Sequence, residues 1–171
     1  MEKQSEVMDE FKRQARLRME ECLEKIRGCL KLLDESAFWQ RPNASSNSAG
    51  NLLMHLSGNI RQYMLSGLGG AADIRERDLE FQTPSALSRT TVESDFFQVA
   101  EKALDLLEHL SEEAFLKRKN IQGFDLTGLG IVLHVVEHLS YHTGQIAYLT
   151  KMTTDEDLGF YSGIDLNAKN E

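Results

Sequence analysis

Apolar residues in this chain recur every three or four positions through four long segments, and no stretch alternates apolar with polar residues over a strand's length. A period near 3.6 marks a helix buried on one face, so the pattern restricts the fold to helices packed on helices. The first segment carries Met8, Phe11, Ala15, Met19, Cys22, Ile26, Cys29, Leu30 and Leu33 with charges between them, which predicts a helix over about residues 5–33. Ser48 is a suitable N-cap for a second helix reaching about residue 66, where Gly67, Gly69 and Gly70 end it. A third helix is expected over 91–110 and a fourth from Thr127 to about residue 152. Between them, 34–39 reads as a short turn, 42–48 as a loop and 116–125 as a connection closed by Gly123. Residues 71–89, with Pro84, form a longer connection with room for one short helical piece, and its length suits an overhand crossover. The expected architecture is an all-α four-helix bundle with a long crossover connection, one domain over residues 1–171. Its acidic tail from residue 153 has Leu158, Phe160 and Tyr161 available to dock on the bundle.

Composition agrees with a folded domain. Hydrophobic residues make up 41% and charged residues 27% of 171, enough apolar material for a core. The uncharged runs fall far short of the roughly 20 residues that span a bilayer. Residues 1–6 carry no apolar core of a signal peptide, so the expected location is the cytoplasm, away from membranes. A net charge of -8 argues against nucleic acid, which calls for clustered Lys and Arg. Cys22 and Cys29 are two helical turns apart, about 10 Å, too far for a disulfide and without a Cys-x-x-Cys pattern for zinc. They read as small buried hydrophobes.

The chemistry lies in His134-Val135-Val136-Glu137-His138-Leu139-Ser140-Tyr141-His142. A four-residue step on a helix rotates by about 40° and rises by about 6 Å, so the three imidazoles share one stripe. Adjacent members can converge on one metal ion, whereas His134 and His142, about 12 Å apart along the axis, cannot. A site here therefore uses one adjacent pair and needs a third ligand from another segment. His55, in Leu52-Leu53-Met54-His55-Leu56, sits on a strongly apolar helical segment and suits that role. His109 lies at a helix C-terminus, where its charged form suits the dipole at the surface. One histidine on an apolar face reads as a satisfied core residue; three at helical spacing, with a fourth on another such face, read as a site. Along the fourth helix, Ile131, His138, His142, Gln145 and Leu149 fall near one line. Leu133, Val136, Thr143 and Ala147 form a second row expected to pack against neighbours.

Three neutral imidazoles with one open position make the catalytic type of zinc site, and imidazole also suits nickel, copper and iron. A ferritin-like di-iron site is excluded, because no histidine has Glu three residues before it, and no His-Glu-x-x-His marks a zinc protease. Asn59 and Gln62 follow His55 by one and two turns, and Gln145 follows His142 by one. These amides, with His134, are the candidates for orienting ligands or holding substrate. Glu137 is rotated about 100° from its neighbour and is not placed to ligate. Leu52, Leu56 and Leu149 are expected to wall the pocket.

With both histidine segments on helices, the chain resembles the DinB-like superfamily of four-helix metal proteins, closest to its branch of uncharacterised bacterial proteins. The resembling stretches are Trp39-Gln40-Arg41-Pro42, the run from Asn51 to Asn59, Arg77-Asp78-Leu79-Glu80-Phe81, the histidine run through Thr143-Gly144-Gln145-Ile146, and Asp157-Leu158-Gly159-Phe160-Tyr161. The resemblance implies one ligand from helix two and two from helix four, the last preceding Gly-Gln by two residues. That assigns His55, His138 and His142 as ligands of a divalent metal, zinc or nickel, and leaves His134 beside the substrate or behind the ligands. It also implies a right-to-left overhand bundle, commonly a homodimer. Known relatives include S-transferases that use bacillithiol or mycothiol and a mycothiol-dependent maleylpyruvate isomerase. The expected function is a metal-dependent transfer of a low-molecular-weight thiol to a small electrophile. A metal-dependent hydrolase and a non-catalytic metal- or ligand-binding module are the alternatives.

Overall fold

The computed structural model describes residues 2–82 and 87–170, with side chains from residue 6; Pro84, placed above in the long connection, lies outside the described residues. The four long segments are helical as expected. They are α1 (Glu2–Leu32), α3 (Ala49–Ile60), α4 (Arg89–His109) and α6 (Gly128–Thr154). One hydrophobic cluster draws on all four, with Met19 and Ile26 of α1, Leu53 of α3, Phe96 of α4 and Ile131 of α6 fully buried. Both α1 and α3 pack on α4 and on α6, so the consecutive pairs α1/α3 and α4/α6 lie across the diagonals of the bundle. Cys22 and Cys29 are buried and unbridged within this core, as their spacing implied.

Side chains from the flanking loops set the helix starts. Ser48 Oγ accepts from Asn51 N at 3.1 Å while Asn51 Oδ1 accepts from Ser48 N at 3.3 Å, a reciprocal cap that satisfies two orphan donors of α3. Thr127 Oγ1 caps α6 through Gly130 N at 3.1 Å, and Asp155, at φ 57°, closes it in the left-handed conformation. Downstream of Ile60 the second helix continues as a wider π-helical stretch, Arg61–Ser66, in which Gly67 and Gly69 donate to carbonyls five residues back. A Cβ at Gly67 would collide with the Tyr63 carbonyl, so the widened turn requires glycine there.

Three local expectations are corrected. The turn at 34–39 is a short helix, α2 (Glu35–Trp39), because Asp34 Oδ1 accepts from Ala37 N at 2.7 Å and Phe38 is buried. The connection at 116–125 contains the end of a second short helix, α5 (Glu112–Leu116), and a hairpin of β1 (Arg118–Ile121) with β2 (Phe124–Thr127), paired Ile121 to Phe124. Gln122 and Gly123 make its two-residue turn with φ 51° and 85°, the positive values that a twisted hairpin favours. Four-residue strands are too short to show an alternating period. On α6, Leu133 is 51% exposed and does not pack in a second row; the core row is Val132, Val135, Leu139, Thr143, Ile146 and Thr150. Leu133 lies about 100° around the helix from Val132, which turns it to the outside. In the tail, Leu158 and Phe160 pack on the core, while Tyr161 is 52% exposed beside Lys25.

Among the described residues of the long connection there is one short 3-10 helix, Arg77–Phe81, as anticipated, and it packs directly on α3. Asn51 Nδ2 donates to the carbonyls of Glu80 and Gln82 at 3.1 and 2.9 Å, and Arg41 donates to that of Phe81. The residue that caps α3 therefore also anchors the crossover segment to it.

Candidate metal centre

His55 of α3 meets His138 and His142 of the neighbouring α6, and one ring nitrogen from each lies within 4.8 Å of the other two. His55 Nε2 and His138 Nε2 are 2.9 Å apart. His55 and His142 are buried and His138 is half-buried. The outer nitrogens are committed elsewhere: His55 Nδ1 donates to Glu80 Oε2 at 2.8 Å and His142 Nδ1 to Gln145 Oε1 at 2.7 Å. Carbonyl and carboxylate oxygens only accept, so both rings carry their proton on Nδ1 and turn an Nε2 lone pair toward the shared centre. This is the arrangement in which a carboxylate or amide fixes the tautomer of a metal-ligating histidine. Zinc–nitrogen bonds of about 2.0–2.1 Å place tetrahedral ligand atoms about 3.3 Å apart, so the rings need only small adjustments to take an ion. The donor set fits a divalent metal.

Protonation favours the same role. Burial lowers the pKa of His138 to about 3, with the neighbouring imidazoles adding to the effect. Burial also lowers that of His142, against an opposing hydrogen bond from Gln145. His138 and His142 are therefore neutral at pH 7, the form that ligates.

Behind His55 stands a buried ion pair. Arg75 donates to Glu80 through Nε at 2.7 Å and Nη2 at 2.9 Å, and the two side chains are only 4% and 9% exposed. Burial pushes the Glu80 carboxyl up, and the hydrogen bonds from Arg75 and His55 outweigh it, holding it below the ordinary range. Gly58 makes the approach possible, because a Cβ there would collide with Glu80 Oε1. Gln62, expected at the imidazoles, instead accepts from Arg75 Nη1 at 2.9 Å and donates to Asp73 at 2.8 Å.

His134 stands outside the convergent set. Asn59 Nδ2 lies 3.1 Å from its Nε2, and its ring stacks on Tyr63 at 4.1 Å and on His138 at 5.3 Å. Tyr63 in turn donates to Gln122 at 3.0 Å, tying the hairpin turn to this wall. Asn59 Oδ1 is buried without a partner among the described residues. Glu137 is exposed, and His109 donates to the Asp105 carbonyl at the exposed end of α4, in keeping with its surface reading. A cleft of about 580 Å³ reaches Gln145, the partner of His142, and is lined also by Leu52, Tyr141 and Leu149; Leu56 is buried in the core and, like the three histidines, is not among its walls. Glu80 and Arg75 had no assigned role in the sequence reading. Glu80 falls inside a resembling stretch, but nothing local in the sequence marks Arg75.

A family model described as a protein of unknown function, DUF1572, matches residues 6–163. The chain belongs to this family. No curated protein matches it. Among solved structures, this DUF1572 chain is similar to the DinB-like protein YjoA of Bacillus subtilis, at 17% identity and a TM-score of 0.64 over 84% of this chain and 94% of that one. A DinB-like protein of Bacillus cereus matches at 15% identity and a TM-score of 0.62, over 80% and 85%. The fold is DinB-like, as the motifs implied. Among the described residues no helix is long and apolar enough to cross a membrane.

Proposed function

We propose that this DUF1572 chain is a metal-dependent transferase that adds a low-molecular-weight thiol to a small electrophile, with His55, His138 and His142 as metal ligands. The observation that carries the reading is the convergence of three ring nitrogens, two of them held as lone pairs toward one point by Glu80 and Gln145. These three neutral imidazoles would hold a zinc or nickel ion without cancelling its positive charge, and that charge would supply the lowering of a thiol's or water's pKa. Gln145 both orients His142 and lines the adjoining cleft, so it links the ligand set to the space where an electrophile sits. Leu52 and Leu149 supply apolar walls, and Asn59 holds His134 beside the ligands. In the transfer the thiol gives its proton to solvent, its sulfur bonds to the electrophilic carbon, and the leaving group departs with the broken bond's electron pair. The reading takes residues 1–171 as one domain and the cytoplasm, where small thiols stay reduced, as its place.

A hydrolase would use the same ligands, and thiol dependence separates the two. The test offers a panel of thiols with a chromogenic aryl chloride to the zinc- or nickel-loaded protein and to His142→Ala. Turnover should require thiol and fall at least about 100-fold in the variant, the scale of losing a catalytic metal's contribution. Equal turnover in both proteins, or ester hydrolysis with no thiol transfer, rejects the reading.

A homodimer is the proposed assembly. Leu133, Tyr141, Tyr148 and Met152 of α6 are 51–69% exposed, and their apolar side chains are the surface offered to a second copy. Sedimentation at micromolar concentration should give twice the monomer mass; a monomer alone counts against it.

A further inference from the structure

A second cavity, of about 540 Å³, lies between α3, α4 and the connection that joins them. We propose that it is a binding site for an uncharged, apolar small molecule, separate from the metal centre. Its volume is within the range of about 300–1,000 Å³ typical of small-molecule pockets. The inner walls are apolar, with Met54, Leu65 and Val92 among them. Ile74, Leu79 and Leu87, 83%, 49% and 39% exposed, ring the same space. Single exposed apolar residues are ordinary, but three gathered at one cavity mark an entrance for an apolar guest.

Charge narrows the class of ligand. The lining includes Arg61 and Arg75 against Asp73, Glu76, Glu80 and Asp95, two positive and four negative groups, a balance of -2 that disfavours anions. Arg75 is committed to Glu80 and Gln62, and Arg61 to Asp95, so neither arginine is free to hold a carboxylate or phosphate. Glu80 and Asp95 are spent on the same arginines, Asp73 accepts from Gln62 and the Arg75 amide, and Asp73 and Glu76 are exposed at the solvent side, which leaves a largely apolar interior for a neutral guest. Ser57 also lines the cavity, and its buried hydroxyl has no partner among the described residues. That hydroxyl is the uncommitted polar group for one hydrogen bond.

The site is distinct from the cleft at Gln145. Glu80 lines this cavity and bonds His55 at Nδ1, whereas the ring's Nε2 faces His138. The imidazole and the carboxylate thus stand between an occupant and the ligand nitrogens. An occupant touches the residue that orients a ligand, not the reacting atoms.

Nile red, a neutral apolar fluorophore, is the probe. Titrated into the zinc-loaded protein of residues 1–171, it should bind saturably at one dye per chain. Ala72→Trp, which fills the cavity from an exposed position, and Ile74→Asp, which places a charge at its mouth, should each weaken binding at least tenfold. Both positions are exposed, so the melting temperature of each variant should match the parent's. His142→Ala, on the other side of His55, should bind the dye as the parent does. Undiminished binding in Ala72→Trp and Ile74→Asp would identify surface adsorption and overturn the proposal. So would loss of binding in His142→Ala with the fold intact, which would put the dye in the other cleft, or no saturable binding at all.

Discussion

Alanine at His142 is expected to leave the protein without stoichiometric metal, and alanine at His138 or His55 to do the same, while His134→Ala keeps it. The first three supply the nitrogens gathered within 4.8 Å, and His134 is turned to Asn59 and Tyr63. Two imidazoles without a third hold a divalent ion far more weakly. A loss of about 4 kcal/mol, the scale of one strong ligand, is roughly a thousandfold in Kd. Metal analysis of protein purified without an affinity tag reads the result directly. Retention in His142→Ala together with loss in His134→Ala would show that the wrong adjacent pair has been assigned. The ion also joins α3 to α6, so chelation should lower the melting temperature of the parent protein, by an amount that grows with free metal concentration over Kd. The same chelator should leave the melting temperature of His142→Ala unchanged.

This outcome depends on residues whose grouping was partly legible before any coordinates. Helical spacing is a local property, so a four-residue recurrence of histidines is enough to put His134, His138 and His142 on one stripe and to limit the site to an adjacent pair. The choice of His138 and His142 over His134 and His138 came from the DinB-like motif. The structure brings His138 and His142 together with His55, while His134, one turn earlier, faces the π-helical stretch where Tyr63 stacks on it. The carboxylate behind His55 was not legible in this way. Glu80 sits in a connection with no period to read, and it reaches α3 through the hydrogen bonds of Asn51 and Arg41 and the missing side chain of Gly58. Asn51 reads locally as a first-turn residue; its second task, anchoring a segment some thirty positions later, is a long-range fact. The hairpin escaped for a related reason, since its strands are set by the Gln122-Gly123 turn rather than by alternation.

The buried pair gives the second large effect. Arg75→Met is expected to destabilise the metal-free protein by about 3–5 kcal/mol, because removing one partner strands the other charge out of water. Glu80, 9% exposed in its side chain, would keep only His55 as a donor. Methionine preserves most of the apolar stem, so the loss reports on charge more than on packing. Glu80→Gln should also destabilise, by leaving Arg75 unpaired, and the double variant Arg75→Met/Glu80→Gln should recover more than half of the larger single loss. Glu80→Gln should further weaken metal binding by about 10- to 100-fold, since a neutral amide oxygen orients the His55 Nδ1–H less strongly than a carboxylate. The sign of the pH dependence separates this account from a packing defect. In the parent the Glu80 pKa is lowered, so its contribution is complete above the ordinary carboxylate pKa of 4.5 and fades as pH falls through the folded value. In Arg75→Met only the His55 hydrogen bond still opposes burial, so that pKa rises and the parent's loss of stability on acidification is reduced or reversed. The stability gap between parent and variant should therefore be widest near neutral pH and close on acidification. Denaturant titrations of the chelated proteins at several pH values measure it, at constant m-value. A gap below about 0.5 kcal/mol at pH 7, the scale of an ordinary surface substitution, would mean that the pair is not holding the crossover segment against α3.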